Sequence, residues 1–274
     1  MVTILGRPLL ALNVIVCAKQ VMDPETPVSA FKIDPDAKRV AHAAGVPPVV
    51  NGFDENAVEA ALRLKDDSGA TITVISVGNG FVMDVMKKPL SMGADRLVLV
   101  EDDQVAGLDS AATAYVLSET IKKIEDYDLI LCGRQASDWD NSQVPLGIAE
   151  ILGLPCVTVA QKVEAHGDGV VVHRSRDDGY EVVEAGMPAV VTVSNELGEP
   201  RYPNLRGIMA ASRKAPTVWT AEDLDLDIGR LAPSLELIDL FVPVSDRRCE
   251  FVEGEDEADA GRKLALRLRE EKLL

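Results

Sequence analysis

In the segment Asp128-Leu129-Ile130-Leu131-Cys132-Gly133-Arg134-Gln135-Ala136-Ser137-Asp138-Trp139-Asp140-Asn141-Ser142-Gln143-Val144, glycine, charge and amide side chains follow directly on an apolar run. The run stops at Gly133, a polar loop follows, and apolar residues resume at helical spacing through Val144, Ile148, Ala149 and Leu152. This order predicts a buried parallel strand, a loop at its carboxyl end, and a helix whose amino end faces the loop. Open α/β sheets bind ligands at that place. The free N–H groups and the dipole of such a helix favour a phosphate or pyrophosphate. Gly133 would let the backbone approach that ligand closely, and Arg134 would stabilise negative charge beside it.

Other chemistry is less well supported. Asp138 and Asp140 could form a Mg²⁺ pair, but their alternation in a polar loop reads better as solvated turn residues, with Trp139 exposed between them. A nucleophilic enzyme needs a base within reach of its nucleophile. His42 lies in a loop excursion, and His166 and His173 flank a turn-rich strand, so the histidines suggest no such pair. There is no GxxxxGK[ST] phosphate loop and no Ser-Gly-Gly run after the first strand. No residue is assigned a catalytic role.

The elements that would carry the loop alternate from residue 12 to about 160. Strands are predicted at Leu12 to Ala18, Ala70 to Val77, Leu97 to Val100 and Asp128 to Cys132. Helices are predicted from Asp54, acting as cap, through Val58, Ala61 and Leu62, then over Phe81 to Met92 and Asp109 to Ile124. Between the first strand and first helix, Pro24 to Pro48 reads as an excursion with a hairpin around Asp34-Pro35-Asp36-Ala37. The alternation implies a mainly parallel sheet with helices on both faces. Beyond Pro155, short strands at Cys156 to Val163, Gly169 to His173, Tyr180 to Ala185 and Ala189 to Val193 predict an antiparallel or mixed finish to the sheet. Residues 195 to 250 read as an extended arm. A helix over about Glu255 to Lys272 ends the chain, with an apolar stripe of Gly261, Leu264, Ala265 and Leu268 that must bury itself on its own domain or on a partner.

With 274 residues the chain can bury a sizeable core, and with only 4% aromatics that core must be aliphatic. A net charge of −17 argues against nucleic acid, which would require a basic stripe. Cys17, Cys132, Cys156 and Cys249 form no CxxC pair and no zinc spacing. Reduced thiols in a reducing compartment are expected. The start, Arg7-Pro8-Leu9-Leu10-Ala11-Leu12 followed by Val14-Ile15-Val16, has the look of a weak signal segment, but Lys19 and the strand pattern favour a short tail before the first strand. No apolar run approaches the ~20 residues of a membrane span. The expected location is the cytoplasm, or the mitochondrial matrix in a eukaryote.

Several segments, in order and spacing, resemble the beta subunit of an electron transfer flavoprotein. They are Val16-Cys17-Ala18-Lys19-Gln20-Val21, Asn51-Gly52-Phe53-Asp54-Glu55-Asn56-Ala57-Val58-Glu59-Ala60-Ala61-Leu62-Arg63-Leu64-Lys65, Met92-Gly93-Ala94-Asp95-Arg96, Cys132-Gly133-Arg134-Gln135-Ala136, Gln143-Val144, Met187-Pro188-Ala189-Val190-Val191-Thr192 and Glu199-Pro200-Arg201-Tyr202-Pro203-Asn204-Leu205. The resemblance covers nearly the whole chain. It implies a doubly wound, mainly parallel sheet of the adenine nucleotide alpha hydrolase-like, Rossmann-like type. Residues 1–194 would form the nucleotide-binding α/β domain. Residues 195–274 would supply a recognition loop, an extended arm and a C-terminal helix that packs on a partner subunit.

By the same resemblance, that partner is an alpha subunit carrying a redox-active FAD. The beta subunit holds a structural AMP in most members and a second FAD in the electron-bifurcating ones. The implied nucleotide contacts are Cys17, Asn51, Phe53, Asp54, Val77, Cys132, Gly133, Arg134, Gln135, Ala136, Asp138, Asp140, Asn141, Ser142, Gln143 and Val144. Asp109-Ser110-Ala111-Ala112-Thr113 resembles the bifurcating group. Ser110 and Thr113 fall one turn apart on one helix face, so both hydroxyls could meet a pyrophosphate; the bland reading is that Ser110 caps the helix and Thr113 is solvated. FAD is favoured, with AMP the alternative. In the bifurcating case NADH would reduce the beta-subunit FAD, which would send one electron toward a low-potential acceptor such as ferredoxin and the other toward the alpha-subunit FAD. In the other case the chain is a non-redox brace. An independent nucleotide-hydrolysing or sensing enzyme of the same fold is a third, weaker reading. The Arg201 to Met209 loop resembles the segment that docks on acyl-CoA or other flavin dehydrogenases, with Leu205 as apolar anchor. Two departures stand out: the lysine-rich run after this loop is reduced to Arg213 and Lys214, and an acidic residue used in some members is replaced near Ser175.

Overall fold

The computed structural model describes residues 12–34, 38–41, 45–243 and 249–274. The tail ahead of the first strand, His42 and the Pro35-Asp36-Ala37 tip of the expected hairpin lie outside the described residues. The chain divides into two compact units between Ile238 and Asp239.

The first unit is built on nine strands in the order β11-β10-β9-β12-β8-β1-β6-β7-β13. They are β1 (Asn13–Cys17), β6 (Thr71–Gly78), β7 (Arg96–Glu101), β8 (Leu129–Gly133), β9 (Cys156–His166), β10 (Gly169–Arg176), β11 (Gly179–Gly186), β12 (Ala189–Val193) and β13 (Thr217–Trp219). Two small ladders stand apart: β2 (Gln20–Val21) with β5 (Val49–Val50), and β3 (Lys32–Asp34) with β4 (Arg39–Ala41). The second is the expected hairpin. From β9 to β13 every neighbouring pair in the large sheet is parallel, while β10 joins β9 and β11 antiparallel. Every residue of β8 and β12 is buried, as parallel strands covered on both faces require.

Side chains alternate between two cores. Val14, Val16, Ile72, Val74, Leu129 and Leu131 meet α1 (Gly52–Ser68), while Ile15, Ile75, Ile130 and Cys132 meet α4 (Ser110–Ile124) and α5 (Val144–Leu152). The chain runs from β1 through β6 to β7 on one side, then returns at β8 on the other side of β1. That reversal opens a crevice at the carboxyl ends of β1 and β8, where Cys17 and Cys132 are register partners.

Two expectations are corrected. Phe81 to Met92 is not one helix: α2 (Met83–Met86) and α3 (Lys88–Met92) are separated at Lys87. Pro89 has no N–H to donate to the Val85 carbonyl, so the helical ladder breaks there. Nor is the segment after residue 195 simply an extended arm. It forms α6 (Leu205–Arg213) and then β13, which pairs in parallel with β7 at the sheet edge. In α6 only Ala211 is buried; its apolar stripe of Leu205, Ile208 and Met209 is exposed. Its seat is tight: a Cβ on Gly207 would collide with the Ser91 carbonyl oxygen of α3.

The approach to α6 is fastened to α1. Asn56 Nδ2 donates to Gly198 O at 2.9 Å, and Arg63 Nη1 to Leu197 O at 3.1 Å. Arg201 donates to the buried Glu59 through Nε at 2.8 Å and its backbone N–H at 3.0 Å, and to Asp66 through Nη2 at 2.8 Å. In the second unit, α7 (Glu257–Glu270) is capped by Asp256, which accepts from Asp259 N at 2.8 Å. No residue of α7 is buried, including the stripe residues Gly261, Leu264, Ala265 and Leu268.

Burial alone would raise the Glu59 carboxyl, but hydrogen bonds from Arg201 and Arg63 overcome it and hold the group below the ordinary carboxylate range. Glu59 therefore stabilises the fold above the unfolded carboxylate pKa, and this is lost as pH falls through its lower folded value. Arg201→Ala should cost about 2–3 kcal/mol in urea unfolding at neutral pH, at or below the lower end for a broken buried pair because Arg201 is partly exposed. The loss should shrink in acid; equal loss at both pH values would contradict the assignment.

Candidate functional site

Asp54 joins three elements at the crevice. Its Oδ2 accepts from Lys19 N, just past β1, at 2.7 Å, and its Oδ1 from Gly133 N, at the end of β8, at 3.1 Å. The expectation that Asp54 caps α1 is thus corrected: it lies in the first turn and is used between elements. Gly133 also has a packing role. A Cβ there would come within 2.7 Å of the Phe53 carbonyl carbon and 2.8 Å of Asp54 N, so the close approach this glycine allows is that of α1 to β8.

Asn51 occupies the cap position of α1 without capping it. Its Nδ2 donates to Gln135 O at 2.8 Å, and its Oδ1 accepts from Ser137 N at 3.2 Å. The loop so pinned is shaped further by Lys19 Nζ to Asp138 at 2.6 Å and Gln135 Nε2 to Asp140 Oδ1 at 2.7 Å. Asp138 and Asp140 are therefore committed to separate partners. Asp140 and Ser142 adopt left-handed backbone (φ 50° and 55°) before α5 begins, uncapped by Gln143 and with Pro145 in its first turn. Trp139 is exposed. Asn141 Nδ2 donates to Ser110 Oγ at 3.2 Å, tying the loop to α4. At that helix the cap is Asp109, not Ser110: Asp109 accepts from Ala112 N at 2.9 Å and from Ser234 N. Thr113 lies one turn in, half-buried, its N–H bonded to Asp109 O at 2.9 Å. Val77, half-buried, packs toward the α4 face of the sheet. The amino ends of α1 and α5 are thus left without side-chain caps around one loop; the short α2 and α3 also lack them, whereas α4, α6 and α7 are capped by Asp109, Asn204 and Asp256.

Arg134 brings the positive charge. Its guanidinium carbon lies 4.8 Å from the centre of the Phe53 ring, and Nη1 donates to Ser194 Oγ at 3.3 Å. Its Nε is buried with no hydrogen-bond partner among the described residues. Beneath the loop, a hydrogen bond with Cys17 and burial push the Cys132 thiol well above its usual range, which leaves an uncharged, unreactive floor. Sequence reasoning missed Lys19 and Ser194 as site residues. Both follow a parallel strand at its carboxyl end, and that placement is the signal that could have found them.

Burial outweighs the hydrogen bonds from Lys19, Asn51 and Gly133 and raises the Asp54 carboxyl to about 7. The folded state then holds this proton more tightly than the unfolded chain, so the stabilisation is complete below the unfolded value and is lost as pH rises through about 7. Without added nucleotide, stability should fall by roughly 3 kcal/mol between about pH 5 and pH 8 from this group, at about 1.4 kcal/mol per pH unit. Asp54→Asn, less stable at the outset, should show a flatter profile in chemical denaturation across that range. An unchanged slope would remove Asp54 as its source.

The sequence family described as electron transfer flavoprotein domain matches residues 39–224. An electron transfer flavoprotein subunit beta of Clostridium acetobutylicum is 42% identical over 220 residues, covering 80% of this chain and 83% of that protein. A protein named caffeyl-CoA reductase-Etf complex subunit CarD, from Acetobacterium woodii, is 35% identical over 267 residues, covering 96% of this chain and 100% of that protein. In Bacillus subtilis an electron transfer flavoprotein subunit beta is 33% identical over 263 residues, 95% of this chain and 98% of the relative. With the strand order and crevice described above, these matches make the chain a member of the electron transfer flavoprotein beta-subunit family, with a role in electron transfer.

Proposed function

We propose that this chain pairs with an electron transfer flavoprotein alpha subunit and holds an adenine nucleotide, FAD in preference to AMP, in the cradle between α1, α4, α5 and the 134–143 loop. The observation that carries the reading is the buried, unpartnered Nε of Arg134 beside the uncapped amino end of α1, with the uncapped amino end of α5 at the far end of the same loop. Together they form a donor set suited to a phosphate or an anionic ring. Backbone N–H groups of α1 and α5 would take phosphate oxygens, and Arg134 would face negative charge on the nucleotide or on a reduced flavin. The small side chains Ser110 and Ala111 at the start of α4 support FAD, since bulky aliphatic residues there would close the site after one phosphate. Bound FAD would supply hydride and one-electron chemistry between NADH, a low-potential acceptor such as ferredoxin and the alpha-subunit FAD. The chain's own part is to bind, orient and shield.

Residues 195–274 would serve the partners. Leu205 is 73% exposed at the first turn of α6 and Tyr202 is 90% exposed, a surface suited to acyl-CoA or other flavin dehydrogenases. The apolar residues Leu264 and Leu266 of α7 stand open, as a helix that docks on the alpha subunit would leave them. Among the described residues no helix is long and apolar enough to cross a membrane. The cytoplasm, or the mitochondrial matrix in a eukaryote, is the proposed location.

Denaturing the purified heterodimer and counting what it releases tests the cofactor. Two flavins per heterodimer support FAD in this chain, whereas one flavin plus one AMP assigns the brace role. Leu205→Ala should slow electron transfer from an acyl-CoA dehydrogenase by roughly tenfold, the scale of a lost apolar hot spot, with nucleotide content unchanged. Loss of nucleotide in that variant would count against docking.

A further inference from the structure

Ser194, directly after β12, is fully buried, and its N–H donates to Ala160 O at 2.9 Å. Its hydroxyl lies within hydrogen-bond reach of Arg134 Nη1, the Glu196 carboxylate and, at 3.3 Å, Asn195 Oδ1. A hydroxyl has one hydrogen to give. Given to the carboxylate, its strongest acceptor, it leaves the lone pairs to Arg134. The chain then runs one way, from guanidinium through hydroxyl to carboxylate. The Ser194 hydrogen bond, Glu196's own N–H and the charge of Arg134 hold the Glu196 carboxyl below its ordinary range, so the acceptor end stays anionic.

The backbone is bent to allow this. Val159 in β9 has φ 61°, a left-handed conformation unusual for a β-branched residue, where the β9–β12 register shifts. Its N–H donates to Thr192 Oγ1 at 2.8 Å. The shift sets Ala160 O against Ser194 N, and a bulge that re-aims a side chain in this way belongs beside functional sites. Glu196 itself is exposed, and a surface glutamate bonded inward to a buried hydroxyl adds little to a core.

We propose that Ser194 and Glu196 are positioning residues that hold the Arg134 guanidinium against Phe53 and keep its Nε–H for an anionic group of the bound nucleotide. This rests on the nucleotide-binding function proposed above. The test is a double-mutant cycle on the full-length chain in its heterodimer, stripped of nucleotide and titrated calorimetrically with AMP and with FAD. Glu196→Gln and Ser194→Ala should each weaken binding about 5- to 10-fold, the scale of a weakened charge-assisted hydrogen bond. Each should change affinity less than about 2-fold when Arg134 is already alanine, because the pair acts only through it. Losses of equal size in both backgrounds overturn the positioning role while nucleotide binding stands. If the unsubstituted chain binds neither AMP nor FAD, the nucleotide function falls and this proposal with it. Glu196→Gln changes only an exposed residue, so the cycle can be completed even if Ser194→Ala does not fold.

Discussion

Both oxygens of one buried carboxylate bind backbone N–H groups from different elements, and the crevice depends on that arrangement. Asp54 draws the end of β1, through Lys19, and the end of β8, through Gly133, onto the first turn of α1. The absence of a side chain at Gly133 lets the helix seat this closely. Burial makes the carboxylate costly, and the two backbone donors recover only part of that cost. An asparagine could not accept from both donors, because one arm of its amide is a donor. The carboxyl titrates near neutrality, so it opposes an anionic ligand less than a fully ionised aspartate would.

The electrostatics of the site are local. The chain carries a net charge of −17, which repels an anionic ligand at long range. Screening limits that repulsion to about 8 Å at physiological ionic strength. Within that range Lys19 is neutralised by Asp138. The remaining attraction comes from helix amino ends and from Arg134, whose charge is shared with Glu196 through Ser194. A site built on directed donors rather than on bulk positive charge would suit the nucleotide proposed above better than a polyanion.

The sequence made the parallel sheet and the 134–143 loop legible because both depend on contiguous pattern. Apolar runs such as Leu129–Gly133 have to be buried on both faces, and helical spacing resumes visibly after Val144. What escaped was long-range. A carboxylate at a helix start is equally the mark of a cap and of a tertiary bridge, and nothing near Asp54 in sequence distinguishes the two. Ser194 lies 60 residues from Arg134, so their contact has no local trace. Strand β13 has three residues, too few to show alternation. The break at Lys87 was legible in principle, since Pro89 is in plain view, but the apolar periodicity around it carried more weight.

Helix α1 does two jobs with one rigid body. Its first turn supplies Phe53 and Asp54 to the cradle, and its later turns supply Asn56, Glu59 and Arg63 to the segment leading into α6. From Asp54 to Arg63 the helix rises only about 14 Å at 1.5 Å per residue. A packed helix transmits position with little slack over that distance, because its length is fixed by its own hydrogen bonds. The exposed first turn of α6 is thereby held in register with the carboxyl ends of β1 and β8, through direct side-chain bonds rather than through a flexible loop. Electron transfer requires the donor and acceptor groups to keep a set separation while partners come and go. If the first turn of α6 docks partners as proposed, its attachment to the helix that borders the crevice would serve that requirement.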